Sequence, residues 1–172
     1  MPPPRFARVD VEEEVAKGVV ALHDVPGDYP RVTLDAEPLP PLLADSDQLI
    51  QVLTNLVQNG IEAAMPMRED PEVVVTLARL GEREVSIRVS DNGPGISAEV
   101  AERLFEPYVS TKPQGTGLGL AIVQTIIHEH GGDIRLFDSS SEGASFEVLL
   151  PVDGPPLLES PPDTTGETVD PA

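Results

Sequence analysis

A two-layer α/β sandwich, with helices covering one face of a mixed, largely antiparallel sheet, is the fold class this sequence predicts. Three observations predict it. Residues 84–90, "EVSIRVS", alternate Val85, Ile87 and Val89 with Ser86, Arg88 and Ser90, the pattern of a half-buried antiparallel strand. Segments 45–65 and 118–130 carry apolar residues at helical spacing. The elements then run helix, two strands, helix, strand pair, irregular stretch, helix, strand pair, without an internal repeat, which sorts helices to one side of a sheet. The chain of 172 residues is long enough for one domain with its own core. With 3% aromatics and no tryptophan, that core is built from Val, Leu, Ile and Ala.

Each element has a local reason. In "VDVEEEVAKGVVALH", Val11, Val15, Val19 and Leu22 share helical spacing, with Asp10 as N-cap. "RVTLDAE" is a short strand, and "LPPLLA" leads to Asp45 or Ser46 as the cap of the next helix. On that helix Leu49, Leu53, Leu56, Val57 and Ala64 fall on one face, and Pro66 ends it. "EVVVTLARL" and "EVSIRVS" flank a "GERE" turn as a hairpin. "DNGPGIS" follows as a turn cluster, and then a stretch without a clear period over residues 96–116. "LGLAIVQTIIHEHGG" is a helix stopped by Gly131 and Gly132, and "DIRLFDS" with "ASFEVLLP" closes the chain as a second hairpin. Residues 1–8 are read as a stiff linker, 9–152 as the domain, and 153–172 as a disordered tail with five acids, five prolines and no base.

The bulk properties exclude several function classes. A formal net charge of −19 argues against unaided nucleic-acid binding. The absence of cysteine removes disulfides, thiol chemistry and Cys-ligated zinc. No apolar run reaches the ~18 residues of a membrane span. The expectation is a soluble fragment without direct membrane contact. His128 and His130 are expected as exposed residues at a helix end, favoured there by the helix dipole.

The chemistry is concentrated in glycines. "TKPQGTGLGLAIV" sets Gly115, Gly117 and Gly119 at alternate positions before a helix and after Lys112. Bare backbone N–H groups at a helix start attract phosphate. The dinucleotide fingerprint fails because Leu120 stands where its third glycine would be, and no P-loop Gly-Lys-Ser/Thr exists. Protein-kinase signature triplets are absent as well. Asn55, Asn59 and Glu62, at i, i+4 and i+7, form a polar stripe that is either a solvated helix side or a set of oxygen ligands for Mg²⁺. Asp91 before "NGPG" is either a turn former or a buried carboxylate accepting from an adenine amino group, with Gly93 and Gly95 closing over the base.

Four stretches together, "NLVQNGIEAA", "DNGPGI", "LFEPYVSTK" and "GTGLGLAIV", resemble in order the motif boxes of sensor histidine kinases. Over residues 9–152 the chain resembles their catalytic and ATP-binding domain, a Bergerat-type fold shared with gyrase, MutL and heat-shock chaperone ATPases. The wording "FEPYVSTKPQGTGLGL" is most similar to nitrogen-regulation kinases of the NtrY and NtrB type, and "MPPPRF" to the linker after the NtrY dimerisation helices. The resemblance implies ATP or ADP as ligand with Mg²⁺ held by Asn59 and supported by Asn55. It implies that Asp91 reads adenine, with Gly93 and Gly95 shaping the pocket, and that Lys112 reaches the β- or γ-phosphate. Gly115, Thr116, Gly117, Leu118 and Gly119 would contact the phosphates or hinge a lid, anchored by Phe105 and Pro107. Asn55, Asn59 and Lys112 are thus the expected catalytic set.

The chain also departs from the pattern. Glu62 and Ala63 stand where many relatives carry Lys and Tyr, and Ala144 lacks a hydroxyl that Ser145 could replace. In the gyrase and MutL ATPases a water-activating glutamate occupies the position of Asn55, so little hydrolysis is expected here. None of His23, His128 and His130 has a phosphoacceptor setting, so the acceptor is expected on a dimerisation domain outside this chain, with a response regulator downstream. The implied place is the cytoplasm, with the longer protein anchored at the inner membrane or not, and the fragment is expected to be monomeric. The alternatives are an anti-sigma-factor-type serine kinase and a non-catalytic nucleotide-dependent interaction module.

Overall fold

The computed structural model describes residues 2–107 and 119–156. A five-stranded sheet in the order β2-β4-β5-β7-β6 is built from β2 (Arg31–Ala36), β4 (Glu72–Leu80), β5 (Glu84–Asp91), β6 (Asp133–Ser140) and β7 (Gly143–Pro151). Only the β2–β4 pair is parallel; the other three pairs are antiparallel. Helices α1 (Lys17–His23), α2 (Ser46–Ala64), α3 (Ala98–Ala101) and α4 (Gly119–Glu129), a π-helical segment (Glu12–Ala16) and a small β1–β3 ribbon (Ala7–Val9 and Leu42–Ala44) complete the described elements. The expected layering is therefore present: a helical layer over one face of a largely antiparallel sheet.

The strand period decides what the sheet buries. Val73, Val75 and Leu77 of β4, Val85, Ile87 and Val89 of β5, and Phe146, Val148 and Leu150 of β7 all point to the helical layer and are buried. They meet Leu49, Leu53, Leu56 and Val57 of α2 and Val123, Ile126 and Ile127 of α4 in one core. Asp45 caps α2, its Oδ1 accepting from Gln48 N–H at 3.1 Å.

Three local expectations change. A π-helical segment, Glu12–Ala16, precedes α1; Val11, Val15 and Val19 are buried as expected and Val20 packs on the core, but Leu22 is 78% exposed. Asp10 still caps this start, accepting from Glu13 N–H at 3.1 Å while its own N–H donates to Glu14 at 2.8 Å. His128 is exposed as expected, but His130 is 1% exposed. Its Nε2 accepts from Asp45 N–H at 3.0 Å and Nδ1 lies 2.9 Å from the Ile126 carbonyl, which makes Nδ1 the protonated nitrogen. Burial is tolerated because both ring nitrogens are satisfied.

The segment read as a linker packs on the same region. Phe6 meets the His130 ring edge-on at 5.1 Å, and Arg5 N–H donates to Asp45 Oδ2 at 2.7 Å. Ala7–Val9 pairs with Leu42–Ala44. Burial pushes the Asp45 carboxyl up, but the N–H groups of Arg5, Gln48 and Asp47 outweigh it and leave the group more acidic than usual.

Candidate functional site

The site forms where α2 runs beside the end of β5. Asp91 is the last residue of β5 and continues the inward series Val85, Ile87, Val89. It lies over Gly60, where an added Cβ would stand 3.2 Å from the Asp91 Cβ and 3.1 Å from Val73 Cγ2. A larger residue at 60 would press on Val73 and Asp91, which would have to give by a few tenths of an ångström. Asn59 is next to that glycine, and Asn55 is one turn earlier on the same half-buried flank. Glu62 is exposed and continues the stripe. Two of the expected residue groups, the α2 asparagines and the β5 aspartate, are thus adjacent.

Asp91 makes the Asx-turn bond expected of a turn former and is half-buried as well. Its Oδ1 accepts from Gly93 N–H at 2.8 Å. Burial raises its carboxyl above the usual range, and the N–H groups of Gly93 and Ala144 partly oppose that shift. A half-buried acceptor at a strand end is suited to a polar donor such as an exocyclic amine.

The loop after Asp91 is wedged between two backbones. A Cβ at Gly93 would stand 2.9 Å from the carbonyl carbon and oxygen of Ala63 in α2. Gly95 has φ +84, and a Cβ there would overlap the Ser140 carbonyl oxygen at 1.9 Å. Ile96 N–H donates to Ser139 Oγ at 2.8 Å, which closes the loop onto β6. Both glycines are therefore needed for close approach.

Other expected residues have separate outcomes. Lys112, Gly115, Thr116, Gly117 and Leu118 lie outside the described residues. Gly119 opens α4, and among the described residues no atom lies within 4 Å of a Cβ built on it. Phe105 makes an edge-on contact with Phe146 at 6.3 Å, and Leu104 is buried in the core, which pins residues 104–105 apolarly. Ser145 pairs in register with Ser90, and their hydroxyls meet at 2.7 Å. Ser90 and Ser145 share the sheet face opposite Asp91, because Ala144 is the residue beside Asp91. Ser145 therefore does not replace the hydroxyl that Ala144 lacks.

Sequence reasoning passed over Arg68, which follows α2 and donates to the carbonyls of Asn92, Gly93 and Ser141. No local pattern marks such a residue, since its three acceptors come from two distant loops.

Among the described residues no cluster of three or more His, Asp or Glu side chains is arranged to hold a metal. Mg²⁺ brought by a nucleotide takes one or two protein oxygens and completes its shell with phosphate and water. The side-chain oxygens of Asn55 and Asn59 meet that modest requirement.

Residues 44–154 match the family described as histidine kinase-, DNA gyrase B- and HSP90-like ATPases. The chain belongs to this family. Sensor histidine kinase ZraS of Klebsiella oxytoca is 36% identical over 152 residues, covering 87% of this chain and 32% of the relative. Sensory histidine kinase/phosphatase NtrB of Rhizobium leguminosarum bv. phaseoli is 42% identical over 143 residues, covering 75% of this chain and 37% of the relative. The chain thus spans about a third of the length of these relatives. Full-length ShkA, solved in complex with AMPPNP, superposes with a TM-score of 0.75 at 30% identity, covering 89% of this chain and 32% of that one. The chain is a histidine-kinase-type ATP-binding domain. No helix among the described residues is long and apolar enough to cross a membrane.

Proposed function

We propose that this domain binds Mg-ATP between α2 and the loop after β5 and offers the γ-phosphate to a histidine on a separate helical domain of the same kinase. The observation that carries the reading is Asp91, a half-buried carboxylate held over Gly60, the neighbour of Asn59, at the end of a core strand. Asp91 accepts from the adenine amino group, and Gly93 and Gly95 bring the backbone against the base. Asn59 gives an oxygen to Mg²⁺, and Asn55 orients a metal-bound water. Mg²⁺, when bound, neutralises the developing charge on the phosphates. Lys112 and Gly115, Thr116, Gly117, Leu118 and Gly119 are assigned to the phosphates on their motif positions. Residues 9–152 form the catalytic unit, 1–8 connect it to the acceptor domain, and 153–172 are a tail outside the activity.

The similarity to nitrogen regulation protein NtrY of Azorhizobium caulinodans, 38% identical over 162 residues, supports a role in nitrogen-related signalling with a response regulator downstream. In this reading the fragment is monomeric and cytoplasmic, and it does not label itself because none of its three histidines is an acceptor.

Calorimetric titration with ADP, with and without Mg²⁺, tests the site. Micromolar affinity is expected. Asp91→Asn abolishes it, because an amide would point N–H groups at an amino group. Asn59→Ala weakens binding with Mg²⁺ more than without it. Unchanged ADP affinity in Asp91→Asn removes Asp91 from its role, and equal losses in Asn59→Ala exclude it as a metal ligand.

A further inference from the structure

The loop that follows Asp91 is fastened from outside the motif boxes. Arg68 lies in the turn after α2, four residues past its end. Its Nε donates to the Asn92 carbonyl at 2.6 Å. One terminal nitrogen donates to the Gly93 carbonyl at 3.2 Å and to the Ser141 carbonyl at 2.7 Å. Asn92 ties the same turn back, its amide donating to the Asp70 carbonyl at 2.9 Å and its oxygen accepting from Glu72 N–H at 2.8 Å. The turn after α2, the loop after β5 and the β6–β7 turn therefore meet at one planar guanidinium. A lysine offers no such fork of fixed directions.

The connectivity of one peptide gives this a consequence at the site. The Asn92 carbonyl and the Gly93 N–H belong to the same planar trans unit, so they point in opposite directions. Arg68 Nε holds the carbonyl end, and Asp91 Oδ1 accepts from the N–H end at 2.8 Å. A charged donor at the oxygen also polarises the peptide and strengthens the N–H as a donor. With Gly93 already against the Ala63 backbone, the peptide has one orientation available, and the carboxylate is held with it.

We propose that Arg68 is a positioning and specificity residue for adenine: it fixes the Asn92–Gly93 peptide from behind and so aims the Asp91 carboxylate at the exocyclic amine of the base. This rests on the reading of Asp91 as the adenine acceptor. The residue acts through Asp91 and touches no part of the nucleotide itself.

The test compares ADP with inosine diphosphate, which carries a carbonyl oxygen where adenine has its amine. Both are titrated into the full chain with Mg²⁺, for the wild type, Arg68→Gln and Arg68→Lys. The wild type prefers ADP. Arg68→Gln loses about tenfold in ADP affinity and much less for inosine diphosphate, so the preference narrows. Arg68→Lys, which keeps the charge without the fork, falls between the two. A purely structural role would lower both nucleotides by the same factor, and that result overturns the proposal, as does an unchanged ADP preference in Arg68→Gln. If Arg68→Gln does not fold, the ratio measured in Arg68→Lys decides in the same way. A wild type that binds ADP no better than inosine diphosphate refutes the adenine reading of Asp91 itself, a failure distinct from that of Arg68.

Discussion

Substituting Gly93 by alanine should damage nucleotide binding more than it damages the fold. The added Cβ would stand 2.9 Å from the Ala63 carbonyl carbon and oxygen and 3.0 Å from the Ala63 Cβ. Ordinary contact begins near 3.4 Å, so the loop must retreat from α2 by about 0.5 Å, because the opposing atoms are helix backbone and cannot swing aside. Overpacking of this kind costs about 1–2 kcal/mol. The same retreat stretches the 2.8 Å bond from Gly93 N–H to Asp91 beyond the ~3.2 Å at which such bonds weaken. Losing a hydrogen bond to a charged acceptor should lower ADP affinity by about tenfold. Gly81→Ala is the matched control. Its φ is +70 and no atom of the described residues lies within 4 Å of the new Cβ, so the change adds left-handed strain, about 1 kcal/mol, at the opposite end of β5 from Asp91. Thermal melting and ADP calorimetry on both variants separate the effects: similar losses of stability, but loss of affinity only in Gly93→Ala. Wild-type ADP affinity in Gly93→Ala would refute the claim that this close approach shapes the pocket.

Further expectations concern the rest of the domain. Glu147, whose side chain is 3% exposed, accepts from Ser86 at 2.9 Å, Arg88 at 3.0 Å and Arg135 at 2.6 Å. Burial alone would raise its carboxyl, but the two arginines and the serine outweigh that and lower it. A folded pKa below the unfolded one gives stability that is complete above about pH 5 and is lost as the pH falls further. Glu147→Gln should cost about 2 kcal/mol at pH 7 and flatten the acid limb of urea-unfolding stability; an unchanged limb would contradict the pairing. His130→Leu strands the buried Asp45 N–H and should cost about 2 kcal/mol in the same assay, whereas a neutral result would mean that the Asp45–His130 bond contributes nothing. Asn55 has no useful basicity, so steady-state phosphate release should be very slow in the wild type and measurably faster in Asn55→Glu, with ATP binding checked in parallel. Brisk wild-type turnover removed by Glu62→Gln would instead make Glu62 a base and the domain an ATPase.

Local periodicity was enough to place α2, α4 and the two antiparallel hairpins and to choose the inner face of the sheet, but not the β1–β3 ribbon or the π-helical segment. Val85, Ile87 and Val89 alternate, and a strand with that pattern has only one face to bury. The α2 register followed from Leu49, Leu53, Leu56 and Val57, and the same register placed Asn55 and Asn59 together on one flank. The order of the motif stretches was enough to point to a nucleotide, since the required bare backbone and acceptor types are written residue by residue. What tertiary structure alone decided depends on partners far apart in the chain. The burial of His130 needs Asp45, 85 residues away, and the placement of Arg5 needs the same aspartate, 40 residues away. Ser145 is turned from the site by its register with Ser90, 55 residues off. Arg68 joins carbonyls 24, 25 and 73 residues beyond it. A residue's own neighbours specify its φ/ψ preferences and its period, but not which distant carbonyl will satisfy its donors. That choice is made only when the sheet and helices pack and every buried polar group must find a partner.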